Sequence, residues 1–237
     1  MVLRLFQSNI IYIKNHKESE IQANQALQSF KKYKNWNPIL YEGVTAKTVR
    51  DEPEFKDYNI IENSRLFNFK KENHHRFLTK VSCAINHIRF WKRVVELNNP
   101  MCFIEHDAIC TMDCTPETLS FREYLILNAE FVFRPPNKLG MEKFKNFIWP
   151  GFGINKVDSS YPLKYYKENI WNGSNMAPGT GAYAISPTGA KKMLKAIEKY
   201  GFDQSDFMIN SYNIDMEYCI PSPIKFNRVN LSTSYGI

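Results

Sequence analysis

The stretch Met101-Cys102-Phe103-Ile104-Glu105-His106-Asp107-Ala108-Ile109 joins four apolar residues to an acidic triplet and a further small apolar step. It reads as a buried strand with charge at its carboxyl end. In open α/β sheets ligands bind in the crevice beyond those ends, so carboxylates there are placed to meet one. Two acids one residue apart, Glu105 and Asp107, can hold a divalent cation against a diphosphate, because magnesium-like ions commonly use one or two carboxylates plus substrate phosphates. Acidic pairs also serve simply to solvate a loop, and from these residues alone that is the commoner use.

Upstream, Leu78 to Leu97 repeats apolar residues at three and four (Val81, Ala84 and Ile85, Ile88, Trp91, Val94 and Val95). This is one helical stripe, long enough to cross a sheet. Asn98-Asn99-Pro100 stops it, so the helix packs beside the strand that carries the triplet. The chain opens with Ile10-Ile11-Tyr12-Ile13, a helix from Glu18 to Tyr33, and a short strand Ile39-Leu40-Tyr41. That order predicts a βαβ unit and hence a parallel sheet. Val44 to Phe77 is polar and mixed, with short helices and loop expected.

Downstream, Thr115-Pro116-Glu117 signals a helix to about Leu127, and Glu130-Phe131-Val132-Phe133 a short strand. Residues 134–176 are rich in Pro, Gly, Asn and aromatics, which predicts a lid or acceptor-binding loop region. Gly179 to Ile185 reads as a glycine-flanked strand. Ser186-Pro187 opens a helix through Tyr200, and a further helix is expected from Ser205 to about Tyr212. The expectation is an α/β protein with a mixed, mainly parallel sheet, flanking helices, and a single domain over 1–237.

A chain of 237 residues with 43% hydrophobic and 23% charged residues can bury a full core. No apolar run approaches the roughly 18 residues of a membrane span, and no cleavage signal opens the chain, so a cytoplasmic location is expected. Five cysteines, an odd number, favour reduced thiols. The set Cys102, His106, Cys110, Cys114 raises zinc, but lacks the close Cys-x-x-Cys pairs of zinc modules. A net charge of +7 implies an anionic partner such as a nucleotide diphosphate, nucleic acid or lipid headgroups, although the basic residues are scattered.

Three segments in order resemble glycosyltransferase family 25: Ser82-Cys-Ala-Ile-Asn-His-Ile-Arg-Phe-Trp91, Phe103-Ile-Glu-His-Asp-Ala108, and Gly179-Thr-Gly-Ala-Tyr-Ala-Ile-Ser-Pro-Thr-Gly-Ala-Lys-Lys192. Weaker echoes lie at Gln204 to Ile209 and at Leu231 to Ser234. The resemblance implies a GT-A-like (Rossmann-type) fold, a nucleotide-sugar donor, and a divalent cation (manganese or magnesium) at the acidic motif. Departures are His106 for an aspartate, Lys80 for a glutamate, Ser82 for glycine, Asn86 for serine and Gly181 for histidine.

Carried over, Asp107 is the first metal ligand and Glu105 a second carboxylate facing metal or ribose. His106 and His87 are further donor contacts, with packing the alternative for His87. Asp206 is the candidate general base of an inverting transfer, since a carboxylate within reach can take the acceptor's proton. Asp203 is its competitor, and either could instead cap the helix that follows. Gly179, Thr180 and Gly181 let backbone approach the sugar. Trp149, Phe152, Tyr165, Tyr166 and Trp171 offer an acceptor platform or plain packing. The implied reaction moves a sugar, from a uridine diphosphate donor, to a glycan hydroxyl. Two alternatives stay open: a phage-type enzyme that glycosylates hydroxymethylated DNA bases, which must flip its target, and a silent sugar- or nucleotide-binding module.

Overall fold

The structure is a computed structural model that describes residues 6–115, 120–129, 152–157, 171, 174–176 and 180–227. The first unit is strand–helix–strand: β1 (Phe6–Tyr12), α1 (Lys17–Phe30) and β2 (Trp36–Glu42), with β1 and β2 parallel. β1 begins four residues before the predicted Ile10. Its buried polar residues bond inside the sheet, where the Ser8 hydroxyl donates to the Phe6 carbonyl and the Asn9 amide to the Cys102 carbonyl, while Asn9 Oδ1 has no partner among the described residues. Apolar periodicity is blind to such positions.

Between β2 and the long helix run a 3₁₀ turn at Val49–Asp51, α2 (Pro53–Asp57) and α3 (Arg65–Lys71). α4 (Phe77–Leu97) and β3 (Met101–Glu105) match the expectation closely. Asn98 takes the left-handed conformation (φ 46°) that ends α4, a geometry asparagine tolerates better than most residues.

β4 (Ala108–Cys110) follows β3, and then β5 (Tyr124–Ile126) stands within the predicted helix of 115–127. The Tyr124–Leu127 run is buried on both faces between two neighbouring strands, so it shows no alternation, and a short apolar run of this kind is ambiguous between helix and strand. β6 (Gly153–Lys156) lies within the loop region expected at 134–176. The strand expected at 130–133 lies outside the described residues.

β7 (Ala182–Ile185) leads into α5 (Pro187–Tyr200), where the Ser186 side chain accepts from the Gly189 N–H as the cap and Pro187 takes the first turn. The helix expected to Tyr212 stops early, as α6 (Ser205–Met208). The Asn210 side chain accepts from the N–H groups of Tyr212 and Asn213 and donates to the Phe207 carbonyl, a local turn that competes with helix. β8 (Met216–Ile220) and β9 (Ile224–Phe226) complete the described chain.

Seven strands form one sheet in the order β2-β1-β3-β7-β5-β8-β6, and β4 pairs with β9 apart from it. β1, β2, β3, β5 and β8 run one way, β6 and β7 the other. This is the mixed, mainly parallel sheet with flanking helices expected of a GT-A-like α/β fold. Strand side chains alternate between faces, and the two cores follow that rule. Met101, Phe103, Tyr183 and Ile185 join α4 and α5, while Cys102, Ile104, Ala182 and Ala184 join α1 on the other face.

Candidate donor site at the carboxyl end of the third strand

β1 pairs with β2 on one side and β3 on the other, so the chain reverses its direction of winding between β1 and β3. A crevice opens at such a switch point beyond the carboxyl ends of the strands. Glu105, His106 and Asp107 stand there.

The register of α4 against β3 is fixed by His87, whose ring stacks on Phe103 at 4.0 Å between centroids. α4 reverses through the Asn98 turn into β3, so going back along the helix means going forward along the strand. From His87 to Cys83 is about 6 Å along a helix, and from Phe103 to Glu105 about the same along a strand. Glu105 shares the α4 face with Met101 and Phe103 and meets the first turns of that helix. The charges of Asp107 and Asp206, with Lys80 opposing them, all act on its carboxyl.

Enclosure among protein atoms raises the Glu105 pKa above the carboxylate range, and the Asp107 and Asp206 charges add to it. The residue stays open to water on its cleft side, which moderates the shift. Its backbone N–H donates to the Gly181 carbonyl at 2.7 Å. A Cβ on Gly181 would stand 2.6 Å from Phe226 Cζ and 2.8 Å from Glu105 Oε2. Glycine is therefore required there by close approach.

Asp107 is half-buried, and its backbone carbonyl accepts from the Asn227 N–H at 2.9 Å. Burial raises its pKa. Its Oδ1 is shut away from water with no hydrogen-bond partner among the described residues. An enclosed oxygen without a donor costs about 1–3 kcal/mol or more. A cation would satisfy it.

His106 answers to the other side of the strand. It is buried, and burial followed by the His16 charge pushes its pKa down to about 4, so it is a neutral imidazole at pH 7. His16 is the N-cap of α1, accepting from the Ser19 N–H. Among the described residues no three His, Cys, Asp or Glu side chains gather closely enough to hold a metal by themselves. The zinc arrangement of Cys102, His106, Cys110 and Cys114 thus does not form. What the triplet offers is two hard carboxylates, the set that suits an ion completed by substrate phosphates.

His87 corrects its expected role as a donor contact. It is 2% exposed, and burial pushes its pKa down to about 3. Its Nδ1 lies 2.8 Å from Tyr183 Oη, which also accepts from Trp91 Nε1–H at 3.0 Å. The hydroxyl then donates to Nδ1, leaving the His87 proton on Nε2. Two of the segments singled out in the sequence meet in this bond, and it joins α4 to β7. Asn86, another polar residue of that helix, accepts from the Val44 N–H and donates to the Val44 carbonyl, fixing the loop after β2.

Asp203 is corrected as well. It is completely buried, and its Oδ1 accepts from the Leu66 N–H at 3.1 Å, at the start of α3 rather than of the helix that follows it. Asp206 is half-buried near Glu105, with Oδ1 accepting from the backbone N–H and the hydroxyl of Thr180, each at 3.2 Å. Thr180 holds this carboxylate instead of lining a backbone approach. Gly179 lies outside the described residues. Of the aromatic platform, Trp171 is buried and Phe152 is 88% exposed, while Trp149, Tyr165 and Tyr166 lie outside the described residues.

Residue-by-residue reading missed β9, which seats Phe226 and Asn227 against Gly181 and Asp107. A separate groove of about 620 Å3, lined by Ile60, Phe67, Lys70, Lys199 and Tyr200 among others, holds none of these carboxylates. No described helix is long and apolar enough to cross a membrane.

No curated protein and no solved structure matches the chain. The sequence model of glycosyltransferase family 25, described as an LPS biosynthesis protein, matches residues 8–209, which span β1, α4, the acidic triplet, β7 and Asp206. With most of its length matched and its sheet of the expected kind, this chain belongs to glycosyltransferase family 25 and is a sugar-transferring enzyme.

Proposed function

We propose that this transferase takes a sugar from a nucleotide-sugar donor, a uridine diphosphate sugar, and passes it to a hydroxyl of a glycan, with manganese or magnesium at the triplet. The observation that carries this reading is the enclosed Asp107 Oδ1, without a partner among the described residues, beside Glu105 at the switch point of the sheet. When bound, the cation neutralises charge on the departing diphosphate. Glu105 and Asp107 would hold it from the protein side, while His106 is buried towards His16 on the other side of the strand.

Asp206 takes the acceptor's proton. The acceptor oxygen forms its bond to the anomeric carbon as the bond to the diphosphate breaks, and the nucleoside diphosphate leaves with the electron pair. Thr180 fixes one oxygen of that carboxylate, which is how a general base is kept in position.

A panel of nucleotide sugars screened with manganese for thermal stabilisation tests the donor. A donor at a hundred times its Kd adds about 2.7 kcal/mol, worth roughly 5–10 °C in a chain of this size. A uridine diphosphate sugar is expected to give that shift. No shift with any nucleotide sugar would overturn the reading.

A further inference from the structure

Lys80 lies three residues before Cys83 on α4 and therefore on the same helical face, one turn nearer the crevice. Cys83 stands over Glu105 by the His87–Phe103 register, so Lys80 stands over the mouth of the site, where the amino end of a 21-residue helix already contributes positive partial charge. It is half-buried. Lys14, Lys92 and Lys192 each form an ion pair within 4 Å, whereas Lys80 forms none among the described residues. An ammonium whose charge acts on the Glu105 carboxyl, yet which is locked to no carboxylate among the described residues, is a cation left open to an incoming anion.

The charge balance of the site points the same way. The carboxyl groups of Glu105, Asp107 and Asp206 gather at the crevice, so an entering diphosphate meets negative charge that a single divalent ion only offsets. We propose that Lys80 is the protein's own counter-ion for the donor diphosphate, sharing with the cation the neutralisation of the leaving group. This rests on the donor-site reading above. Lys80 binds the diphosphate oxygens from the helix side, while Glu105 and Asp107 hold the cation from the strand side. It is a binding residue whose contribution is largest when the divalent ion is scarce.

The test is isothermal titration of UDP, CDP and GDP into wild type, Lys80→Gln, Lys80→Met and Lys80→Arg, each in EDTA and in saturating manganese. Melting temperatures check that each variant is folded, and Lys80→Met keeps the alkyl stem should glutamine perturb the helix. At least one diphosphate is expected to bind wild type in EDTA. Its affinity should fall about tenfold or more in the Gln and Met variants, as expected for loss of a charge-assisted contact. Lys80→Arg should stay within about threefold of wild type, and manganese should restore most of the loss. Unchanged affinity of the Gln and Met variants in EDTA would overturn the role of Lys80. So would a wild type that binds only with manganese; in both cases the donor site itself stands. Failure of all three diphosphates to bind under either condition would instead sink the donor-site reading, and this inference with it.

Discussion

Asp203 and Asp206 are three residues apart in sequence and differ in everything that decides chemistry. Asp203 is sealed in the core, accepting from the Leu66 N–H at the start of α3, whereas Asp206 borders the crevice on a bond from Thr180. Replacing Asp203 by Ala leaves the Leu66 N–H buried without its acceptor, a cost of about 1–3 kcal/mol. Chemical denaturation should show that loss while the folded fraction keeps its turnover. Asp206→Asn is expected to do the reverse, holding its melting temperature and losing about a hundredfold or more in transfer, the usual worth of a general base. Equal turnover in wild type and Asp206→Asn would remove Asp206 from the mechanism. Spacing and residue type could not separate these two acids, because burial is set by the bridge between Ile60 and Phe202, which brings residues far apart in sequence together. The triplet, by contrast, was legible, since an apolar strand running into acids needs no distant partner to be noticed.

At the scale of elements, the helices with one apolar stripe and clear end signals, α4 and α5, were readable almost to the residue. Elements with both faces covered were not: β5 presents no alternation, and β8 and β9 are short and set by their neighbours. The histidine of α4 shows why a motif can be recognised and its role still missed. His87 is part of the seam between α4 and β7, and that seam has a pH signature. In the unfolded chain it takes up a proton as the pH falls through 6.5, but in the folded chain only near 3. Between those values the unfolded state binds more protons, so the stability is fully present above pH 6.5 and is lost as the pH drops. At pH 5 the loss from this one group is about 2 kcal/mol. His106, also held neutral, adds an effect of the same sign and of similar size at pH 5. Urea denaturation at pH 7 and pH 5 should therefore show a drop in wild type that His87→Phe reduces by about that amount. The same drop in both proteins would mean that His87 is not the buried neutral group described.

For the molecule as a whole, one sheet and two cores bring separate stretches to a single crevice: the end of β3, the start of α4, and Thr180 and Gly181 before β7 together with Asp206 of α6, with Phe226 of β9 against Gly181. A chain of net charge +7 brings the carboxyl groups of Glu105, Asp107 and Asp206 to that point. This concentration is costly for folding alone and useful for holding a cation against an anionic donor. The family resemblance was legible because its three segments keep their order, and the structure adds how they divide the work. One bolts the helix to the sheet, one presents the acids, and one supplies the glycine that lets Glu105 lie close and the threonine that holds Asp206. The proposed donor site makes sugar transfer depend on the acids at the carboxyl end of β3. It is tested most directly by the release of UDP from a UDP-sugar in manganese, comparing wild type with Asp107→Asn at equal folded concentration. EDTA-sensitive turnover in wild type, reduced about a hundredfold or more in the variant, is the expected result. Full turnover by Asp107→Asn would contradict it.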